Sequence, residues 1–294
     1  MPEGDTVLRT ARRLHAALAG RVLTRSELRW GERDGTPLQN HETLDVVARG
    51  KHILHRVEGG LTLHSHLRME GSWRVVATPE APIPGREGHL VRAVLGTTEW
   101  TALGNRLGML DLVRTADEHR LVGHLGPDIL GDDWNTELAV ANVAASGVPI
   151  GAALLDQRLL AGIGTLYASE SLFLERLNPW AQTTDLPEST VRAVVERAHR
   201  LLHANVAHAV QSTTGARRRG ETSYVHGRSG RPCRRCGTTV RVAMIGPEGQ
   251  ERTMFSCPTC QPGDRPTDDG ARQVPLGSTP GPSKSRRGQY RGRS

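Results

Sequence analysis

Four cysteines stand in two Cys-x2-Cys pairs, Cys233/Cys236 and Cys257/Cys260, with 20 residues between the pairs. Each pair fits a tight turn that aims two thiolates at one ion. Four thiolates complete a tetrahedral Zn2+ site with no open position, so one structural zinc is expected here. Thr238–Val242 and Arg252–Phe255 are expected to pair as the hairpin of a zinc ribbon. At the other end of the chain Met1 precedes proline and is expected to be removed, leaving Pro2 as an α-amino group. Such an amine has a reference pKa of about 8, against about 10.4 for lysine, so at neutral pH it is the better nucleophile. A secondary amine that attacks an aldehyde-level carbon gives an iminium directly. Glu3, next in the chain, is placed to act as acid or base on the same centre. Of 38 Lys and Arg residues only Lys51 and Lys284 are lysines. A lysine in so arginine-rich a chain matters because its side chain, unlike arginine's, can lose its proton.

These groups need elements to hold them. Val7, Leu8, Ala11, Leu14 and Leu18 recur at helical spacing, with Gly20 where a helix stop belongs, which predicts a helix over Asp5–Ala19. Short segments follow: Arg21–Leu28, Thr43–Ala48, His52–Val57, Leu61–Leu67, Trp73–Val76, His89–Leu95 and Leu110–Val113, separated by Gly, Pro and polar clusters. They read as an antiparallel sandwich or barrel rather than βαβ units. Helical periodicity returns over Thr136–Ala145, Ile150–Leu155, Gly164–Leu174 and Pro187–Gln211. Residues 263–294 hold 14 Gly, Pro or Ser among 32 and are expected to be a disordered basic tail. The net charge of +7 admits a polyanionic partner without choosing one. No apolar run approaches a membrane span, and thiols without a secretory leader fit a reducing cytoplasm.

Met1-Pro-Glu-Gly-Asp-Thr-Val7, Arg49-Gly-Lys-His52, Leu154-Leu-Asp-Gln-Arg-Leu-Leu-Ala-Gly-Ile-Gly164 and the four-cysteine ribbon occur together and in this order. Over about residues 2–261 the chain resembles the formamidopyrimidine-DNA glycosylase and endonuclease VIII family of base-excision repair enzymes. Its start and the Arg68-Met69-Glu70 loop are similar to the endonuclease VIII branch, particularly its actinobacterial members. The resemblance implies an α+β fold of four parts. An N-terminal antiparallel β-sandwich flanked by helices spans 1–130, a helix–two-turn–helix domain 131–225, a zinc finger 226–262 and the tail 263–294.

The resemblance further implies that Pro2 attacks C1′ of a damaged nucleotide and Glu3 protonates the sugar ring oxygen. Lys51 would serve β-elimination, and Arg252 would grip phosphate and serve δ-elimination. Backbone N–H groups around Gly162 and Gly164 would bind phosphate, and Arg68 and Met69 would fill the gap left by an extruded base. Thr165 stands where the family usually carries Asn, so its phosphate contact takes a different geometry. Thr6 replaces a common Glu, whose role in the damage pocket is not carried over. The implied partner is damaged double-stranded DNA, met by a monomer in the bacterial cytoplasm at the nucleoid. Oxidised pyrimidines are the expected substrates, with oxidised purines, as in the sister branch, the alternative. A lapsed zinc-ribbon DNA-binding protein and a metal-dependent nuclease are the other readings. Pro2, Glu3 and Lys51 together argue against the lapsed protein. His199, His203 and His208 lack the Glu of a His-Glu-x-x-His zinc motif and read as polar-face residues; His64 and His66 share one strand face; Asp128 reads as a turn residue.

Overall fold

A computed structural model describes residues 2–29, 37–80, 88–264 and 266. Helix α1 (Gly4–Leu18) buries Val7, Ala11, Leu14 and Leu18, the stripe its periodicity demands, and Gly20 at φ 70° turns the chain out of it. Eight strands follow: β1 (Arg25–Leu28), β2 (Thr43–Arg49), β3 (His52–Val57), β4 (Leu61–His66), β5 (Ser72–Ala77), β6 (Val91–Gly96), β7 (Trp100–Asn105) and β8 (Met109–Arg114). They form two antiparallel four-stranded sheets, ordered β1-β6-β7-β5 and β2-β3-β4-β8. Ile53, Val57 and Leu63 from one sheet and Ala93, Leu95 and Ala102 from the other share a core with the α1 stripe. A sandwich with a helix against both sheets is the result.

Strand β7 was not expected. Its sequence, Trp-Thr-Ala-Leu-Gly-Asn, is weak in β-formers and carries Gly104, yet the strand sits inside its sheet between β6 and β5. A Cβ on Gly104 would lie 2.7 Å from Leu107 and 3.1 Å from Trp73, so packing demands the glycine that spoils the pattern.

Beyond the short α2 (His119–Val122) lie α3 (Thr136–Ala144), α4 (Ile150–Leu155), α5 (Thr165–Leu174) and α6 (Glu188–Asn205), around a second core of Ile150, Leu154, Tyr167, Leu172, Val191 and Leu202. Helix α6 ends six residues before the predicted Gln211. Asn205 stops it: its amide donates to the Ser212 carbonyl at 2.8 Å and accepts the Ser212 N–H at 2.8 Å, folding the chain back. The ribbon pairs β9 (Arg241–Ile245) with β10 (Arg252–Ser256). Its first strand starts at Arg241 rather than Thr238, because the knuckle after Cys233 takes up Gly237 (φ 80°) and Thr238, whose carbonyl accepts the Cys233 N–H. Apart from Gly263, Asp264 and Pro266, the expected tail lies outside the described residues. No described helix is long and apolar enough to cross a membrane.

Candidate active site

Glu3 sits immediately before α1 and is only 1% exposed. Its carboxylate accepts the N–H groups of Gly164 and Leu166, each at 2.8 Å, and of Tyr167 at 3.4 Å, so it is clamped on the N-terminal turn of α5. Unpaired amides and the helix dipole make such a turn a natural anion seat. Gly164 has to be glycine there: a Cβ would come within 2.5 Å of the Glu3 carboxyl carbon. This revises the expected phosphate cradle. The Gly164 amide is spent on Glu3, and the Gly162 amide donates to the Gln157 side chain at 3.0 Å. Gly162 adopts φ 104°, and its carbonyl accepts the Gly4 N–H at 2.9 Å, stitching the start of α1 to the same loop. Burial pushes the Glu3 carboxyl above its ordinary value, while Lys51 and the α5 amides oppose the rise.

Lys51 lies in the turn between β2 and β3. Its ammonium donates to the Ile163 carbonyl, which also accepts from the Gln157 amide at 3.0 Å. Burial lowers the amine to about 8, with Arg252 repulsion adding to the drop and Glu3 opposing it. The turn is held by Asp128, 3% exposed, whose carboxylate accepts the Gly50 N–H at 2.6 Å and the Leu130 N–H at 3.1 Å. Asp128 is thus a turn residue, as read, but one that also anchors a segment 78 residues away. Asp128→Ala would leave the buried Gly50 amide unpaired, at a cost of about 1–3 kcal/mol. Urea unfolding is expected to show that loss, together with slower strand nicking from a misplaced Lys51.

Pro2 is half-buried directly before Glu3, and Thr165, 6% exposed, opens α5. The structure therefore brings Pro2, Glu3, Lys51, Gly162, Gly164 and Thr165 together. Arg252 opens β10; it is exposed, with its guanidinium on the Gln250 carbonyl at 3.2 Å, and it reaches Lys51 electrostatically. Arg68 and Met69 lie in the turn after β4, Arg68 at φ 50° and Met69 61% exposed. Arg106, at φ 46°, pairs with Glu70 at 2.8 Å beside them. His199 stacks on Trp134, with 5.2 Å between ring centroids.

Among the described residues the four cysteines are the group able to hold a metal ion, their sulfurs all within 4.8 Å of one another. The Cys233–Cys260 and Cys236–Cys257 separations are 4.0 and 3.4 Å. Bonds of about 2.3 Å from zinc to sulfur give tetrahedral edges of about 3.8 Å, so the thiols fit that ion.

Several partners had no sequence signal. Asp5, Asp128 and Glu170 act on residues that only the fold makes neighbours, while Gln157 bonds Gly162 and Ile163 within its own loop. Glu170, inside α5, accepts the N–H groups of Tyr224, Val225 and His226 at 2.7–2.8 Å and the Thr213 hydroxyl.

Residues 1–126 match the family model of the formamidopyrimidine-DNA glycosylase N-terminal domain, and residues 125–216 that of the formamidopyrimidine-DNA glycosylase H2TH domain. The chain belongs to the formamidopyrimidine-DNA glycosylase and endonuclease VIII family of base-excision repair enzymes. A relative in Streptomyces coelicolor, "Probable endonuclease 8 2", is 52% identical over 93% of this chain and 99% of its own. The Mycolicibacterium smegmatis "DNA-(apurinic or apyrimidinic site) lyase Nei2" is 40% identical over 89% of this chain and 99% of its own. The fold is shared with Lactococcus lactis formamidopyrimidine-DNA glycosylase bound to DNA containing an AP site, at TM-score 0.74 and 22% identity, covering 89% of this chain and all of that one.

Proposed function

We propose that this chain removes oxidised pyrimidines from duplex DNA and then nicks the strand by β,δ-elimination, using Pro2 as a covalent nucleophile. The observation that carries this reading is the convergence of three groups on one loop. Glu3 is clamped by the Gly164 and Leu166 amides, Lys51 is bonded to the carbonyl of Ile163 just before them, and Pro2 precedes Glu3. The relatives named endonuclease 8 and DNA-(apurinic or apyrimidinic site) lyase support the lyase part of the reading.

Once Met1 is removed, the Pro2 amine attacks C1′ and the glycosidic bond breaks, its electron pair leaving with the base. Glu3, holding its proton to higher pH than an ordinary carboxyl, delivers it to the ring oxygen and the sugar opens to an iminium. The iminium acidifies the C2′ proton. Lys51, whose lowered proton affinity keeps part of the population neutral near pH 7, takes that proton as the 3′ C–O bond breaks onto phosphate. Arg252 supports the phosphates through the second elimination. Met69, apolar and exposed on its turn, suits the gap left by a flipped base. Cys233, Cys236, Cys257 and Cys260 would hold one Zn2+ that braces the ribbon and stays outside the chemistry.

Borohydride should trap a covalent adduct between the chain and an abasic-site duplex, and peptide mapping should place it on Pro2. Absence of any adduct removes the lyase reading. A panel of thymine glycol, 5-hydroxyuracil and 8-oxoguanine duplexes tests the substrate, and excision of 8-oxoguanine alone would move the chain to the purine branch.

A further inference from the structure

Asp5 is a buried carboxylate that the mechanism above does not use. It lies in the first turn of α1, two residues after Glu3, and is 0% exposed. Its Oδ2 accepts the Tyr167 hydroxyl at 2.9 Å and its Oδ1 accepts the Gln211 side-chain amide at 2.7 Å. Tyr167, also 0% exposed, belongs to the same α5 turn whose N–H groups hold Glu3, and its own amide is one of them. Gln211 comes from the segment after α6, which continues through Ser212 and Thr213 into the loop fastened to Glu170. One carboxylate therefore ties three separate stretches of chain together next to the acid.

We propose that Asp5 is a positioning residue for Glu3, fixing through Tyr167 the α5 turn that orients the Glu3 carboxylate and joining that turn through Gln211 to the segment after α6. The inference rests on Glu3 serving as the acid of base release. A buried carboxylate is costly without partners, and two donors from distant segments make its place specific. Glu3 is faced by Lys51 from the β2–β3 turn, by the Leu166 and Gly164 amides from α5, and by Asp5 from its own helix. Asp5 is faced by Tyr167, Gln211 and Arg9. Burial, with Asp5 and Glu3 close by, keeps the Tyr167 phenol protonated, as donation to Asp5 requires. The negative charge of Asp5 raises the proton affinity of Glu3, so its removal lowers that affinity.

The test compares base release from a damaged duplex with nicking of a preformed abasic duplex, each across pH. Tyr167→Phe keeps the ring and deletes one hydrogen bond; Asp5→Asn deletes the charge and sets an amide against the Gln211 amide. Each is expected to lower the ratio of base release to nicking by about tenfold. Asp5→Asn should also move the alkaline limb of base release to lower pH. The double variant should be no worse than Asp5→Asn, as for groups acting as one unit. Adding Gln211→Glu to Asp5→Asn reverses the hydrogen bond and restores the buried charge, and should return the ratio to within about twofold of the parent. A proportional fall in both reactions, with no movement of the pH profile and no rescue, would mean a purely structural role and overturn the proposal. If the unmodified chain itself gives no borohydride adduct, the underlying reading fails instead, a different result from a trapped parent whose variants leave the ratio unchanged.

Discussion

Glu3→Gln should lower base release by about 10²–10⁴-fold, the usual worth of a positioned proton donor. Nicking of preformed abasic sites should suffer far less, since no base has to leave. The geometry predicts a second cost. All the hydrogen bonds to Glu3 come from donors, the N–H groups of Gly164, Leu166 and Tyr167. A glutamine offers one oxygen and turns an NH2 group against at least one of them, which costs about 1–3 kcal/mol if the site cannot rearrange. The variant should therefore melt lower as well as lose excision. Because burial raises the Glu3 carboxyl, base release in the parent should persist to higher pH than an ordinary carboxyl would allow, and should fall in acid as the Pro2 amine takes up a proton. Quench-gel assays of heat-labile site formation against direct nicking separate the two activities. Equal loss of both would remove Glu3 from the acid role.

Stripping the metal, or Cys257→Ser, should abolish nicking while leaving the sandwich folded. Structural zinc contributes about 10–16 kcal/mol of apparent folding free energy in isolated fingers. In this ribbon Cys233, Cys257 and Cys260 share a small apolar cluster with Phe173, Val225, Val240 and Phe255. Arg252 begins the strand that ends one residue before Cys257, so its position depends on that cluster. The sandwich core, from Val7 to Leu110, contains none of these residues. Chelation should release one zinc per chain, measured by atomic emission. It should also erase nicking and leave a cooperative unfolding transition for the rest of the molecule. Nicking that survives complete zinc loss would show that Arg252 does not need the ribbon.

What the sequence made legible follows from distance along the chain. Helix α1 and its stop at Gly20 are local, and the strands rich in Val, Ile and Leu were visible for the same reason. Strand β7 was not, because its glycine answers to Trp73 across the sheet and to Leu107 in the connection that follows rather than to its own propensity. The end of α6 was missed because Asn205 caps it through Ser212, a contact absent from any helical pattern. At the site, Pro2, Glu3, Lys51 and the cysteines were visible as chemically unusual residues or spacings. Their supports were invisible: Asp128 serves Gly50, Tyr167 serves Asp5, and Glu170 serves the loop of Tyr224, each from far along the chain. The glycines of Gly162-Ile-Gly164 were read as seats for an external anion, whereas in the structure the Gly164 amide serves Glu3 and the Gly162 amide serves Gln157.

Helix α5 meets the rest of the protein at both faces of one short rod. Its first turn grips Glu3, which the sandwich supplies; Glu170 grips the loop before the ribbon; and the Ser169 hydroxyl accepts the Phe255 N–H of β10 at 3.3 Å. The ribbon and the seat of the acid therefore travel as one part, and the sandwich is latched to that part through the reacting carboxyl itself. Prising the halves apart would strip donors from Glu3 before it disturbed either core. The clamp is thus an interlock: separating the two halves would expose Glu3 and take away the amides that orient it.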